Sequence, residues 1–191
     1  MIELKNVCIS FGSKPVIEGM CHGFEDGSTT AIMGPSGSGK TTLLRAILGL
    51  TPLSVGEITG VPTHIGVVFQ EDRLIEGWNA RDNVRLVCGS DITDAQIDAH
   101  LAEVGITDES DKRVKSFSGG MRRRVALVRA LITMPELVML DEPFKGLDPQ
   151  ARERAAAYVK KMCDKAMLIL VTHDEAERTL IGAVDQLVIK V

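Results

Sequence analysis

Apolar and polar positions change rhythm repeatedly along this chain, and the changes mark its elements. Residues 2–10 begin in alternation, Ile2 and Leu4 against Glu3 and Lys5, which predicts a strand. Glycines at 12, 19, 23 and 27 punctuate short β-like pieces as far as the apolar run Thr30-Ala31-Ile32-Met33. A helical pattern over 42–48 follows, stopped by Gly49 with Pro52 beyond it. Gly56-Glu57-Ile58 and Ile65-Gly66-Val67-Val68-Phe69 predict two more strands with a short turn between them.

From Glu71 to Ala130 the composition becomes helical. Thr93-Asp94-Ala95-Gln96 has the spacing of a capping box, and Ile97, Leu101 and Val104 then share one helix face that ends at Gly105. A second helix is predicted over 118–133, with Val125, Val128, Leu131 and Ile132 on its apolar side. After Pro135 the strand signal returns at 137–140 and again at 166–172, on either side of a helix over 149–162. A short helix over 174–180 and a last strand over 187–191 complete the pattern. Strands alternating with helices around apolar runs predict a mostly parallel sheet covered on both faces.

The junction between the run ending at Met33 and the helix after it reads Gly34-Pro35-Ser36-Gly37-Ser38-Gly39-Lys40-Thr41, with Thr42 next. This fills G-x-x-x-x-G-K-[ST], a phosphate cradle between a strand and a helix. Its glycines let successive N–H groups turn toward a polyphosphate at a helix N-terminus that already favours anions. Lys40 is placed to reach the β- and γ-phosphates, and the Thr41 hydroxyl to bind Mg²⁺. The chain is therefore expected to bind a nucleoside triphosphate.

Further along, the apolar strand Leu137-Val138-Met139-Leu140 ends in Asp141-Glu142. A buried parallel strand delivers both carboxylates to the sheet's C-terminal edge, where ligands bind. Asp141 can hold Mg²⁺ through its water shell, and Glu142 can orient a water and take its proton. Ser118 in Phe117-Ser118-Gly119-Gly120-Met121 reads as a helix N-cap, as does Asp148 in Gly146-Leu147-Asp148 before Pro149. By themselves Gln70 and His173 are a surface glutamine and a structural histidine, and Phe11 suits a turn or a core equally.

Composition narrows the picture from the other side. The chain has 191 residues, a net charge of −4 and 45% hydrophobic residues, enough for one domain with a real core. That charge argues against non-specific nucleic-acid binding. The basic run Arg122-Arg123-Arg124 with Arg129 reads as a helix face, partly solvated and partly raising the potential near phosphates, with no aromatic residues interleaved. The N-terminus lacks the charged and apolar regions of a secretory signal, and no apolar run approaches the roughly 20 residues of a membrane span. Four scattered cysteines (8, 21, 88 and 163) have no metal-ligand spacing and read as reduced thiols.

Taken together, the cradle, the S-G-G opening a helix and the acidic strand, in that order, resemble the ATP-binding cassette ATPases. The resemblance covers nearly the whole chain. It implies an α/β fold: a P-loop NTPase with a mostly parallel sheet core, an N-terminal antiparallel β subdomain and an inserted helical subdomain. The chain would be one domain over 1–191, with the nucleotide-binding core at 1–70 and 135–191 and the helical part at about 71–134. In that family Ser118, Gly119, Gly120 and Met121 would face the γ-phosphate held by the other protomer, although Phe117 and Met121 depart from the usual L-S-G-G-Q. Gln70 would contact metal and lytic water, His173 the γ-phosphate, Asp148 the partner copy, and Phe11 would stack on adenine. Met121, the stretch 68–74 with Trp78 and 82–84, and Asp141-Glu142-Pro143-Phe144 are similar to the nitrate, sulfonate and taurine importers.

The resemblance thus implies an ATP hydrolase using ATP and Mg²⁺, a homodimer or pseudo-dimer when ATP is bound, and separate membrane permease subunits. It implies an extracytoplasmic substrate-binding protein if the system imports, and a peripheral place on the cytoplasmic side of the membrane, with no nucleic-acid partner. The sequence stops soon after its last strand, so no C-terminal regulatory domain is expected. The alternative is a non-transport cassette acting as a nucleotide-gated scaffold, which would usually carry inserted domains or a second cassette. A silent binding module does not need Glu142 and His173, and a small-molecule P-loop kinase has no use for the S-G-G.

Overall fold

The computed structural model describes residues 1–107 and 112–189. Its strands divide between two sheets. In the first, β1 (Ile2–Phe11) lies between β2 (Lys14–Phe24) and β4 (Val55–Thr59), antiparallel to both. The second is parallel throughout, in the order β5 (Ile65–Val68), β6 (Leu137–Asp141), β7 (Met167–Val171), β3 (Thr29–Met33), β8 (Asp185–Val188). The two strands expected to share a short turn, β4 and β5, therefore part into different sheets. Gly66 explains the place of β5: a Cβ there would stand 2.2 Å from the Ala130 carbonyl, so only glycine lets this strand approach the helix beside it.

Every residue of β6 and β7 is buried. Because successive side chains point to opposite faces, the two strands serve two cores at once. Val138, Leu140, Leu168 and Leu170 pack among the helices on one face, with Val125, Val128, Ala155 and Val159. Leu137, Met139, Ile169 and Val171 pack on the other, against Leu43, Leu44 and Ile47 of α1 (Lys40–Ile47) and Ile2, Val7, Ile9 and Phe24 of the antiparallel sheet. A fully buried aliphatic side chain contributes about 1.5–3 kcal/mol, so each of these strands anchors both layers.

The helical stretch holds α2 (Ala80–Arg85), α3 (Asp94–Glu103) and α4 (Gly119–Leu131). The capping box forms as its spacing predicts: Thr93 Oγ1 accepts from Gln96 N at 3.3 Å, and Gln96 Oε1 accepts from Thr93 N at 2.8 Å. Ile97, Leu101 and Val104 are all fully buried. The short α2 has no apolar stripe to announce it. Asn79 caps it, and buried Asn83 fixes the loop before it, accepting from Ile75 N at 2.7 Å and donating to Ile75 O at 3.1 Å. The helix α5 (Pro149–Met162) occupies the predicted span, held at its start by Asp148 Oδ1 accepting from Ala151 N at 2.9 Å. Then come β7, α6 (Glu175–Ile181) and β8, which begins earlier than the strand expected over 187–191; Lys190 and Val191 lie outside the described residues.

This topology brings one edge of the parallel sheet to a point. The strands β3, β6 and β7 end at Met33, Asp141 and Val171, so Gly34, Glu142 and His173 follow from neighbouring strand ends, and Gln70 follows β5.

Candidate functional site

The cradle closes as its glycines require. Gly39 caps α1 with φ 97°, in the left-handed region, and a Cβ there would come 2.8 Å from Val16 Cγ1. Lys40, only 8% exposed, folds back to donate from Nζ to the carbonyls of Gly34 and Pro35, each at 2.8 Å. Pro35, Ser36, Gly37, Gly39, Lys40, Thr41 and Thr42 line a cavity of ≈ 580 Å³, and Gln70, Glu142, Lys145 and His173 close it from the other strands. Sequence residues that are far apart thus meet in one place.

At the end of β6 the two carboxylates have different surroundings. Asp141 is 1% exposed; its Oδ2 accepts from the Thr41 hydroxyl at 2.7 Å, while Oδ1 is buried with no hydrogen-bond partner among the described residues. Burial pushes this carboxyl above its ordinary value, against the Thr41 hydrogen bond. A hydroxyl and a carboxylate with a spare buried oxygen, side by side at a phosphate cradle, form the hard oxygen donor set that a Mg²⁺ ion takes.

Glu142 is gripped on both oxygens. Oε2 accepts from Lys145 Nζ at 2.7 Å, and Oε1 lies 3.2 Å from His173 Nδ1. Burial acts to raise this carboxyl, but the bonded Lys145 ammonium and the His173 ring outweigh it and hold the group below its ordinary value. Its backbone has φ 48°, a left-handed conformation that a non-glycine residue keeps at a cost of about 1–3 kcal/mol. His173 itself is exposed, held between Thr172 and Asp174. The Thr172 hydroxyl donates to buried Glu177 at 2.6 Å and accepts from Asp174 N at 3.1 Å, bracing the histidine from both sides.

Ser118, Gly119 and Gly120 are not brought to this cradle. Ser118 caps α4, accepting from Met121 N at 3.2 Å, and Met121 packs as a partly buried side chain against the helical core. With Gly146 and Asp148 the Ser118–Gly120 turn lines a second cavity of ≈ 450 Å³, which adjoins the cradle cavity at Gln70 and Lys145. Phe11, 58% exposed, stands at a third groove with Lys14, Val16, Gly37 and Ser38; Val16 and Gly37 also line the cradle cavity, so the two adjoin.

Two further side chains reach this edge without a clear signal in the sequence. The arginine run was expected to be a partly solvated face, yet Arg123 is 4% exposed and donates to backbone carbonyls at the ends of β5 and β6. Its helical phase was the available signal, because it lies four residues before buried Leu127. Lys145 carries no sequence signal beyond its three-residue spacing from Glu142, and it donates to that carboxylate while staying mostly exposed.

The site's likenesses agree with its geometry. The ABC transporter family matches residues 17–145. The aliphatic sulfonates import ATP-binding protein SsuB 1 of Pseudomonas syringae pv. tomato is 40% identical over 185 residues, covering 95% of this chain and 67% of its own length. The Nod factor export ATP-binding protein I of Rhizobium meliloti is 39% identical, covering 93% of this chain and 58% of its own. This chain thus spans between about half and two thirds of the length of these relatives. Among solved structures, the dimeric MJ0796, a bacterial ABC transporter cassette, superposes with a TM-score of 0.88 at 27% identity, covering 100% of this chain and 94% of that one.

Proposed function

The chain belongs to the ABC transporter family, and from that premise we propose that it is the motor subunit of an importer, driving solute through separate permease subunits. It binds and hydrolyses ATP. Two copies would face each other around two nucleotides, each held between the cradle of one copy and Ser118-Gly119-Gly120 of the other. The observation that carries this reading is the division of the site: within one chain no residue of the cradle shares a cavity with the Ser118–Gly120 turn, although Gln70 and Lys145 border both, so each is read as half a site. The transporter likenesses favour transport over the scaffold alternative, and the sulfonate-import relatives favour import. No helix among the described residues is long and apolar enough to cross a membrane. The likeness to import ATP-binding proteins supports a place at the cytoplasmic face, where permease partners would hold the chain. An extracytoplasmic binding protein would deliver the solute.

The residues divide the work. The N–H groups of 37–42 and the Lys40 ammonium would cradle the β- and γ-phosphates, and Phe11 would stack on the base across the adjoining groove. Thr41 and Asp141, with Gln70 from the lining of the same cavity as Thr41, would hold Mg²⁺, which would supply positive charge opposite the polyphosphate. Glu142, kept ionised, would take the proton of the attacking water while His173 orients toward the γ-phosphate. Asp148, exposed at the cap of α5, would meet the partner copy.

Steady-state hydrolysis tests the assignment. Glu142→Gln should lose roughly 10²–10⁴-fold in turnover while still binding ATP; equal turnover rejects Glu142 as the base. Cysteines introduced as Ser36→Cys and Gly119→Cys, in a background lacking the native thiols, should crosslink between copies when ATP saturates Glu142→Gln. No crosslink under that condition rejects the shared site.

A further inference from the structure

One side chain of the basic run belongs neither to solvent nor to the nucleotide cavity's floor. Arg123 sits on α4, and its guanidinium spreads across two distant segments. Nη2 donates to the carbonyls of Asp141 at 2.7 Å and Glu142 at 2.8 Å. Nη1 donates to the Phe69 carbonyl and, at 3.1 Å, to Asp72 Oδ1, with the Gln70 carbonyl at 3.4 Å. A single planar fork therefore joins the acidic end of β6 to the start of the Gln70 segment. It does so from the helix whose own N-terminus is Ser118-Gly119-Gly120.

The backbone of Glu142 shows what this fork is for. A non-glycine residue stays in the left-handed region only when its surroundings fix it. Glu142 N donates to Val171 O at 2.9 Å, which holds one side of the residue; Arg123 holds the other through the Glu142 carbonyl. Without the arginine, the Glu142 carbonyl keeps only the longer bond from Lys145 N at 3.2 Å, and the strained peptide loses its closest restraint.

We propose that Arg123 is a positioning residue for hydrolysis, setting Glu142 and Gln70 in register with each other and with the helix that carries Ser118–Gly120. The inference rests on the shared-site reading above. A nucleotide in the partner's cradle would contact the N-terminus of α4, and the same rigid helix grips the Glu142 backbone of its own site. Arg123 thereby links occupancy of one site to the geometry of the other.

Arg123→Lys tests this, because it keeps the charge opposite Asp72 but loses the fork. ATP affinity should stay within about threefold while kcat falls about 10- to 100-fold, the scale expected when a catalytic group is misplaced by about an ångström. In the Glu142→Gln background the same substitution should lower the residual single-turnover rate by clearly less than it lowers the wild-type rate, since part of its effect runs through Glu142. A wild-type kcat in folded Arg123→Lys, or losses that multiply in the double variant, overturns the proposal. If the lysine variant does not fold, Asp72→Asn, which loosens only the Gln70 side, decides in the same assay. A fall of at least about threefold in kcat at unchanged affinity supports the proposal, and an unchanged kcat overturns it. A silent wild type defeats the hydrolase reading and this inference together, Glu142→Gln at full rate defeats Glu142 as the base and this inference with it, and an active wild type with an unaffected Arg123→Lys defeats the inference alone.

Discussion

At the C-terminal edge of the parallel sheet the reactive side chains are already engaged. Thr41 is on Asp141, Lys145 and His173 are on Glu142, and Lys40 is on the loop carbonyls. At the N-terminus of α4, Ser118 makes its cap bond to Met121 N, and Ser118 and Gly119 are exposed. The first region is preorganised within the chain, so its chemistry needs little rearrangement. The second offers free backbone donors at the positive end of a helix and nothing of its own to spend them on. On the reading proposed above, the difference teaches that a site can be finished on one side and open on the other, the open side awaiting a docked copy.

The sharpest way to break this contrast is Ser118→Arg. A long charged side chain at the open turn should block the facing copy and cost at least about 100-fold in turnover, the scale of losing a preorganised donor, while ATP binding to the isolated cradle persists. Turnover at the wild-type rate would mean that the turn has no part in the site. A smaller effect is expected at the engaged edge. In Lys145→Met the Glu142 carboxyl loses the ammonium that holds it down, so its pKa rises and the acid limb of the pH–kcat profile moves to higher pH. Because a depressed carboxylate stays charged as pH falls until its lowered pKa is reached, the wild type should keep activity further into acid than the variant. Lys145 is 68% exposed, so the displacement should shrink in high salt. An unmoved acid limb would detach Lys145 from Glu142. The smallest effect lies away from both regions: Thr93→Ala removes the capping box of α3 and should lower stability by about 1 kcal/mol in a denaturant melt, with turnover per folded molecule unchanged.

Much of the edge was legible in advance, because its chemistry is written in local patterns. The cradle spans consecutive residues, β6 announces its acidic end by an apolar run, and Asp148-Pro149 fixes the start of α5. What escaped depended on contacts between distant segments. Three arginines in a row look alike in one dimension; only the phase of α4 against β5 and β6 decides that Arg123 is the one buried. The separation of β4 from β5 depended on pairing with β1 and β6, which no local turn signal encodes. Similarly, α2 is hidden because it has no apolar stripe and its start rests on the Asn79 cap and on Asn83 tying the helix to the loop before it.

The parallel ladder between β5 and β6 has a mechanical meaning. It runs in register from Ile65↔Leu137 to Val68↔Leu140, and among the described residues β5 has no strand on its other side. Traction at Gln70 directed along the strand strains all those hydrogen bonds at once, whereas a sideways tug would unzip them singly. The border strand therefore behaves as a tie rod beside the acidic tip, stiff along its length and yielding across it.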